Sequence, residues 1–139
     1  MNNYNNEYNN ETSRGLVLHV YNTIMDMLSY DSLYDDDNNY LNTIKRINKI
    51  ERMKPFMPTS IFDAFKSFIK NNIEPIIDDG ISLEGFLTSE YGCRNDKGIF
   101  EFKDEMSAKL FVGRVMQHCI ELQEKFLKLA MDEISPYFQ

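Results

Sequence analysis

Two histidines and two cysteines, His19, His118, Cys93 and Cys119, are the side chains of this chain most suited to nucleophilic, acid–base or metal chemistry. His118 and Glu121 stand three residues apart and so share a face of any helix that contains them. A di-iron site in a helical bundle requires Glu-x-x-His twice, with further carboxylates, and the chain holds neither that motif nor His-Glu-x-x-His. A cysteine nucleophile requires a base within reach. His118 and Cys119 are neighbours that point about 100° apart on a helix, and no residue near Cys93 in sequence prepares it to attack. The histidines therefore read as structural or surface groups. The cysteines read as reduced thiols, too few and too far apart for a disulfide framework or a zinc site.

The carboxylates give no better site. Asp78-Asp79 and Asp104-Glu105 fall at expected element boundaries, where helix capping accounts for them. Asp35-Asp36-Asp37 suggests a calcium loop until it is counted out. Starting from Asp35, Tyr40 occupies the position that needs glycine, and Arg46 occupies that of the bidentate glutamate. "DDGISLEGF" fails in the same way, with Pro75 at the first ligand position and Phe86 at the last. Glycines 15, 80, 85, 92, 98 and 113 form neither a P-loop nor a dinucleotide fingerprint. Tyr30, Tyr34, Tyr40, Tyr91, Phe100 and Phe102 are not interleaved with basic residues, so they read as packing rather than as a base-stacking platform. No cofactor, no metal and no catalytic set is expected, and the chain reads as non-enzymatic.

One cluster survives. In "YLNTIKRINKIERMKP", residues 40–55, Lys45, Arg46, Lys49, Arg52 and Lys54 accompany a single acid, Glu51, in a chain of net charge -7. At about 100° per residue, Tyr40, Ile44, Ile47 and Ile50 fall on one side of a helix, and Lys45, Lys49 and Arg52 on the other, with Arg46 close by. Acids before the helix and bases at its end suit the helix dipole. The first reading is an ordinary solvated face; the second is a single-sign ridge that meets an acidic partner or phosphates. The acidic balance opposes general nucleic-acid binding, in which phosphate neutralisation supplies most of the affinity. The expected function is a protein–protein interaction module, an adaptor or an inhibitor of a partner protein. The alternative is binding of nucleic acid or a phosphorylated ligand through the basic ridge 45–54.

The elements that must carry this ridge are mostly helical. The chain has 139 residues, enough for one domain with its own core, with ten Phe, eight Tyr and eight Met as bulky filling. Residues 1–12, Asn-rich and with little to bury, read as a disordered arm; 13–139 reads as a single helical domain. Val17, Tyr21, Ile24 and Leu28 recur at helical spacing, widened by Leu16, Val20 and Met27, with Thr12 or Ser13 as the cap. Ser60 to Ile73 continues a broad apolar face that Pro75 should kink or end. A short helix is expected between Ser82 and Gly92. Alternation around "RNDKG" then predicts a short β-hairpin whose Phe100 and Phe102 pack onto helices.

From about Asp104 to Glu133 no proline interrupts a long C-terminal helix. Phe111, Val115, Cys119, Leu122, Phe126 and Ala130 form its stripe, and Val112, Met116, Ile120 and Leu127 widen it. Gly113 should allow another helix to approach closely, or mark a bend. The fold class expected is mostly α, a small helical domain with a long C-terminal helix and a short β-hairpin. The breadth of the apolar faces points to a homodimer. No apolar run is long enough for a membrane span, and the N-terminus lacks the pattern of a signal peptide, so an intracellular, cytoplasmic protein is expected. The abundance of Asn, Ile, Asp, Lys and Tyr is a bias of AT-rich genomes, which places viral and phage host-modulating proteins among the candidates.

Overall fold

A computed structural model describes residues 3–33, 40–78 and 90–139. Helix α1 spans Asn3–Met27, a short α2 Tyr30–Leu33, α3 Tyr40–Arg52 and α4 Thr59–Phe68. A π-helical turn, Ile69–Ile73, leads from α4 into α5, Glu74–Asp78. Strands β1, Gly92–Arg94, and β2, Phe100–Phe102, precede the long α6, Glu105–Leu129. A second π turn, Ala130–Ile134, and a 3-10 turn, Ser135–Phe138, finish the chain. The mostly helical fold with its long C-terminal helix and small hairpin is the one expected. The aspartate-rich stretch 34–39 and most of the expected helix 82–91 lie outside the described residues.

The helices exist because their apolar positions meet. Phe126 of α6 is fully buried at the point where three helices converge. It stacks on Tyr21 of α1, with ring centroids 5.2 Å apart, and contacts Phe68 and Phe65 of α4 at 4.8 and 6.2 Å. Val17, Val20, Ile24, Met27 and Leu28 line the buried side of α1. Gln123 on α6 donates to the Leu28 carbonyl at 3.0 Å, satisfying one of the acceptors left open where α1 ends.

Helix α1 starts ahead of the boundary expected at Ser13 and takes in most of the stretch expected to be disordered. Once a helix is nucleated, each added residue costs little. Ser13 is therefore not a cap. It is buried, and its hydroxyl donates to the Phe56 carbonyl at 2.8 Å, tying α1 to the 3-10 turn Lys54–Phe56.

Pro75 does not end its helix. A proline inside a helix lacks an amide donor and clashes with the carbonyl four residues back. The chain solves this by widening the turn ahead of it: Glu74 N–H donates five residues back, to Ile69. The Asn72 side chain donates to the Phe68 carbonyl at 3.1 Å. The π turn Ala130–Ile134 stands in the same relation to Pro136.

The hairpin pairs Gly92 with Phe102, Cys93 with Glu101 and Arg94 with Phe100, antiparallel. Its turn is built by the Asn95 carboxamide oxygen, which accepts from Lys97 and Ile99 N–H, and by Gly98 at φ 78°, a left-handed conformation suited to glycine. Gly92 is required for another reason: a Cβ there would lie 2.1 Å from the Glu101 carbonyl oxygen. Two aromatics hold the hairpin on α6, Phe102 and Tyr91 contacting Phe111 at 5.5 and 5.7 Å.

Candidate functional site

Helix α3 is fixed by one face. Ile47, Ile50 and Thr43 are buried and Ile44 half-buried, and the Thr43 hydroxyl donates to the Ser32 carbonyl at 3.0 Å. Burying that face turns the other outward. Lys45, Arg46, Lys49 and Arg52 are all exposed, and with Asn42 and Asn48 they line one continuous surface along the helix. Among the described residues none of these four cations makes an ion pair or a side-chain hydrogen bond. Glu51, the acid within the cluster, points away from the ridge and is engaged by Lys66 of α4. Lys49 and Arg52 stand in the last turn of α3, where the helix dipole favours positive charge.

Lys54 does not join them. It lies beyond the end of α3, in the 3-10 turn, and its ammonium sits 5.8 Å from the centre of the Phe62 ring on α4. The structure thus groups four of the five basic candidates and sets the fifth on another element. On its α1 side the ridge borders a cleft of about 230 Å³, lined by His19, Thr23 and Asp26 together with Arg46, Lys49, Ile50 and Met53. Sequence spacing gave no sign that His19 and Asp26 stand beside the ridge, since the pairing of α1 with α3 is a tertiary contact.

The other chemistry-bearing residues lie on α6 and β1. Cys119 is buried in the core stripe of α6, and burial pushes its thiol up to about 11, away from the reactive thiolate. His118 is half-buried, and desolvation holds it below the ordinary imidazole value despite the opposing influence of Glu121. Cys93 is exposed on β1. Asp104 caps α6 by accepting from Ser107 N–H at 2.7 Å, which accounts for that carboxylate as the sequence suggested. No three His, Cys, Asp or Glu side chains gather in metal-binding geometry among the described residues. No helix among the described residues is long and apolar enough to cross a membrane.

The long helix holds a second surface. Phe111, Val115, Cys119, Leu122 and Phe126 are buried as expected, but Val112, Met116, Ile120 and Leu127 are exposed rather than part of the core. Met106, Leu110 and Met131 are exposed with them. Gly113 lies in open space, with no atom within 4 Å of where its Cβ would be, so no described helix approaches it. Periodicity showed that both flanks of α6 were apolar. Which flank the other helices cover depends on where they pack.

Compared with protein-family models, with curated proteins and with solved structures, the chain matches none.

Proposed function

We propose that this chain is a non-enzymatic interaction protein, an adaptor or inhibitor, that docks on an acidic surface of a partner protein through Lys45, Arg46, Lys49 and Arg52. One observation carries the reading: four exposed cations share a helix face, without an acidic partner among the described residues, in a chain of net charge -7. Three other described bases do meet an acid, Lys66 with Glu51, Lys109 with Glu105 and Arg114 with Glu90. Like charges three and four residues apart repel by a few tenths of a kcal/mol per pair, and an acidic surface offsets that repulsion. Such ridges contribute association rate and specificity more than affinity. The reading places the protein inside a cell, where the exposed Cys93 stays reduced. Its composition fits a host-modulating protein of an AT-rich virus or phage.

A second reading uses the same ridge for a phosphorylated ligand or nucleic acid. Asn42 and Asn48 favour it, because their amides set uncharged donors beside the cations, a type of group that also contacts phosphates. The acidic charge of the whole chain weighs against a polyanion.

The test is affinity capture from host lysate with the wild-type chain and with the Lys45→Glu, Lys49→Glu, Arg52→Glu triple variant. The variant should keep its helical circular dichroism and lose the partner, and wild-type affinity should weaken with salt because exposed charges are screened. A protein among the captured species supports the first reading and co-purified nucleic acid the second. An unchanged set of partners on the folded triple variant would refute both.

A further inference from the structure

We infer that the cleft between α1 and α3 receives a lysine or arginine side chain of the partner protein, set beside the carboxylates that meet the basic ridge, with Asp26 as the residue that selects it. The inference rests on the ridge reading and adds to it the charge pattern that the partner must show.

The cleft is two-sided in charge. Arg46 and Lys49 belong both to the ridge and to the cleft, so the cleft begins where the ridge ends. On the other side are His19, Thr23 and Asp26, which stand four and three residues apart and so share one face of α1. The Thr23 hydroxyl donates its proton to the His19 carbonyl at 2.8 Å, which leaves its oxygen to accept. Asp26 is exposed, and among the described residues its carboxylate makes neither an ion pair nor a hydrogen bond. Lysine and arginine offer donors only, and a carboxylate accepts only. The α3 side of the cleft thus donates and the α1 side accepts. Two cations and one anion line it without pairing with each other.

A uniformly acidic ligand fits this arrangement poorly. Its charge is drawn to Arg46 and Lys49 but repelled by Asp26, and like charges set together across an interface reject a partner. A ligand with a base next to its acids meets both sides. The order is then Asp26, partner base, partner acid, and Arg46 with Lys49, each charge beside its opposite.

Size and lining narrow the base to one long side chain. At about 230 Å³ the cleft falls below the roughly 300–1,000 Å³ of pockets that take up a whole small molecule. Ile50 is buried and Met53 half-buried, so the floor of the cleft is apolar. Lysine and arginine lay apolar stems along such a surface while their charged heads reach a polar group, here the Asp26 carboxylate and the Thr23 oxygen.

Two labelled synthetic peptides test this by fluorescence anisotropy at low salt. One consists of glutamates spaced by glycines; in the other a single glutamate is replaced by lysine. The wild-type chain should bind the lysine-containing peptide about three- to fivefold more tightly, the reach of one exposed ion pair, although that peptide carries less negative charge. Asp26 is exposed, so its variants should keep the helical circular dichroism. Asp26→Asn should lose the preference, and Asp26→Lys should reverse it in favour of the all-glutamate peptide. A wild-type chain that binds the all-glutamate peptide as well or better overturns the inference and leaves the ridge reading standing. A preference that survives in both Asp26 variants does the same. If neither peptide binds, the ridge reading itself fails and takes this inference with it.

Discussion

Phe126→Ala tests whether three helices converge where they are described. The ring is fully buried, with Tyr21, Phe68 and Phe65 around it. Truncation to alanine removes on the order of 100 Å² of buried apolar surface, about 2.5 kcal/mol at ~25 cal/mol per Å². Loss of favourable ring geometry adds about 0.5–1.5 kcal/mol, and the residual cavity adds more, because contacts from two other helices cannot all collapse inward. The expected loss is about 4 kcal/mol, a large share of the roughly 5–15 kcal/mol that holds a domain together. Urea unfolding followed by circular dichroism measures it, read as a shift of midpoint at constant slope. Phe56→Ala is the matched control: Phe56 is 60% exposed, and its truncation should cost no more than about 0.5 kcal/mol. A loss below about 1.5 kcal/mol at Phe126, or equal losses at the two positions, would refute the packing described.

Gly92→Ala should disrupt the hairpin, since the new methyl meets the Glu101 backbone; nuclear magnetic resonance should show the amides of residues 92–102 shifted or lost, and an unchanged spectrum would contradict the close approach. The thiols should differ in the native state: exposed Cys93 reacts quickly with a disulfide reagent, while Cys119, buried and raised to about 11, reacts only as the chain unfolds. Two equally fast thiols would argue against the placement of α6. Asp104 is held below the ordinary carboxylate value, chiefly by the hydrogen bond from Ser107 N–H. Its folded value lies below its unfolded one, so its stabilisation is present above the unfolded value, about 3.9, and is lost as pH falls through the folded value. Asp104→Asn should therefore flatten part of the acid limb of a stability–pH curve, and an unaltered limb would show that the cap does not couple to folding.

Much of this architecture was legible because it rests on local rules. The core stripe of α1, the buried face of α3 with its four outward cations, and the Asn95–Gly98 turn all follow from residue spacing and turn chemistry. What depended on tertiary placement was not. Ser13 looked like a cap from its type, and only the packing of α1 against the Lys54–Phe56 turn gives its hydroxyl the Phe56 carbonyl instead. Lys54 belonged to the basic cluster by sequence, yet α3 ends at Arg52 and the chain turns away toward Phe62. Val112, Met116, Ile120 and Leu127 widened the stripe of α6 in the sequence, and periodicity alone cannot tell a face covered by neighbours from one left open.

The two π turns change how each helix keeps count of its own residues. Each inserts one extra residue, equal to about 100° of rotation. On an uninterrupted α-helix, Asn72 would face the core at the end of α4 and Ile134 would project on the outer side of α6. Widening the turns brings Ile73 and Ile134 inward instead, and both are buried. These segments are therefore natural hot spots for changes of chain length. Deleting a single residue from either one, with Pro75 or Pro136 replaced so that it no longer needs the widened turn, restores ordinary helical winding without altering which face the preceding turns bury, whereas a deletion in the middle of α4 or α6 would rotate every residue beyond it out of register. Related chains, when compared, should carry their one-residue gaps within 69–73 and 130–134, each together with another residue in place of Pro75 or Pro136.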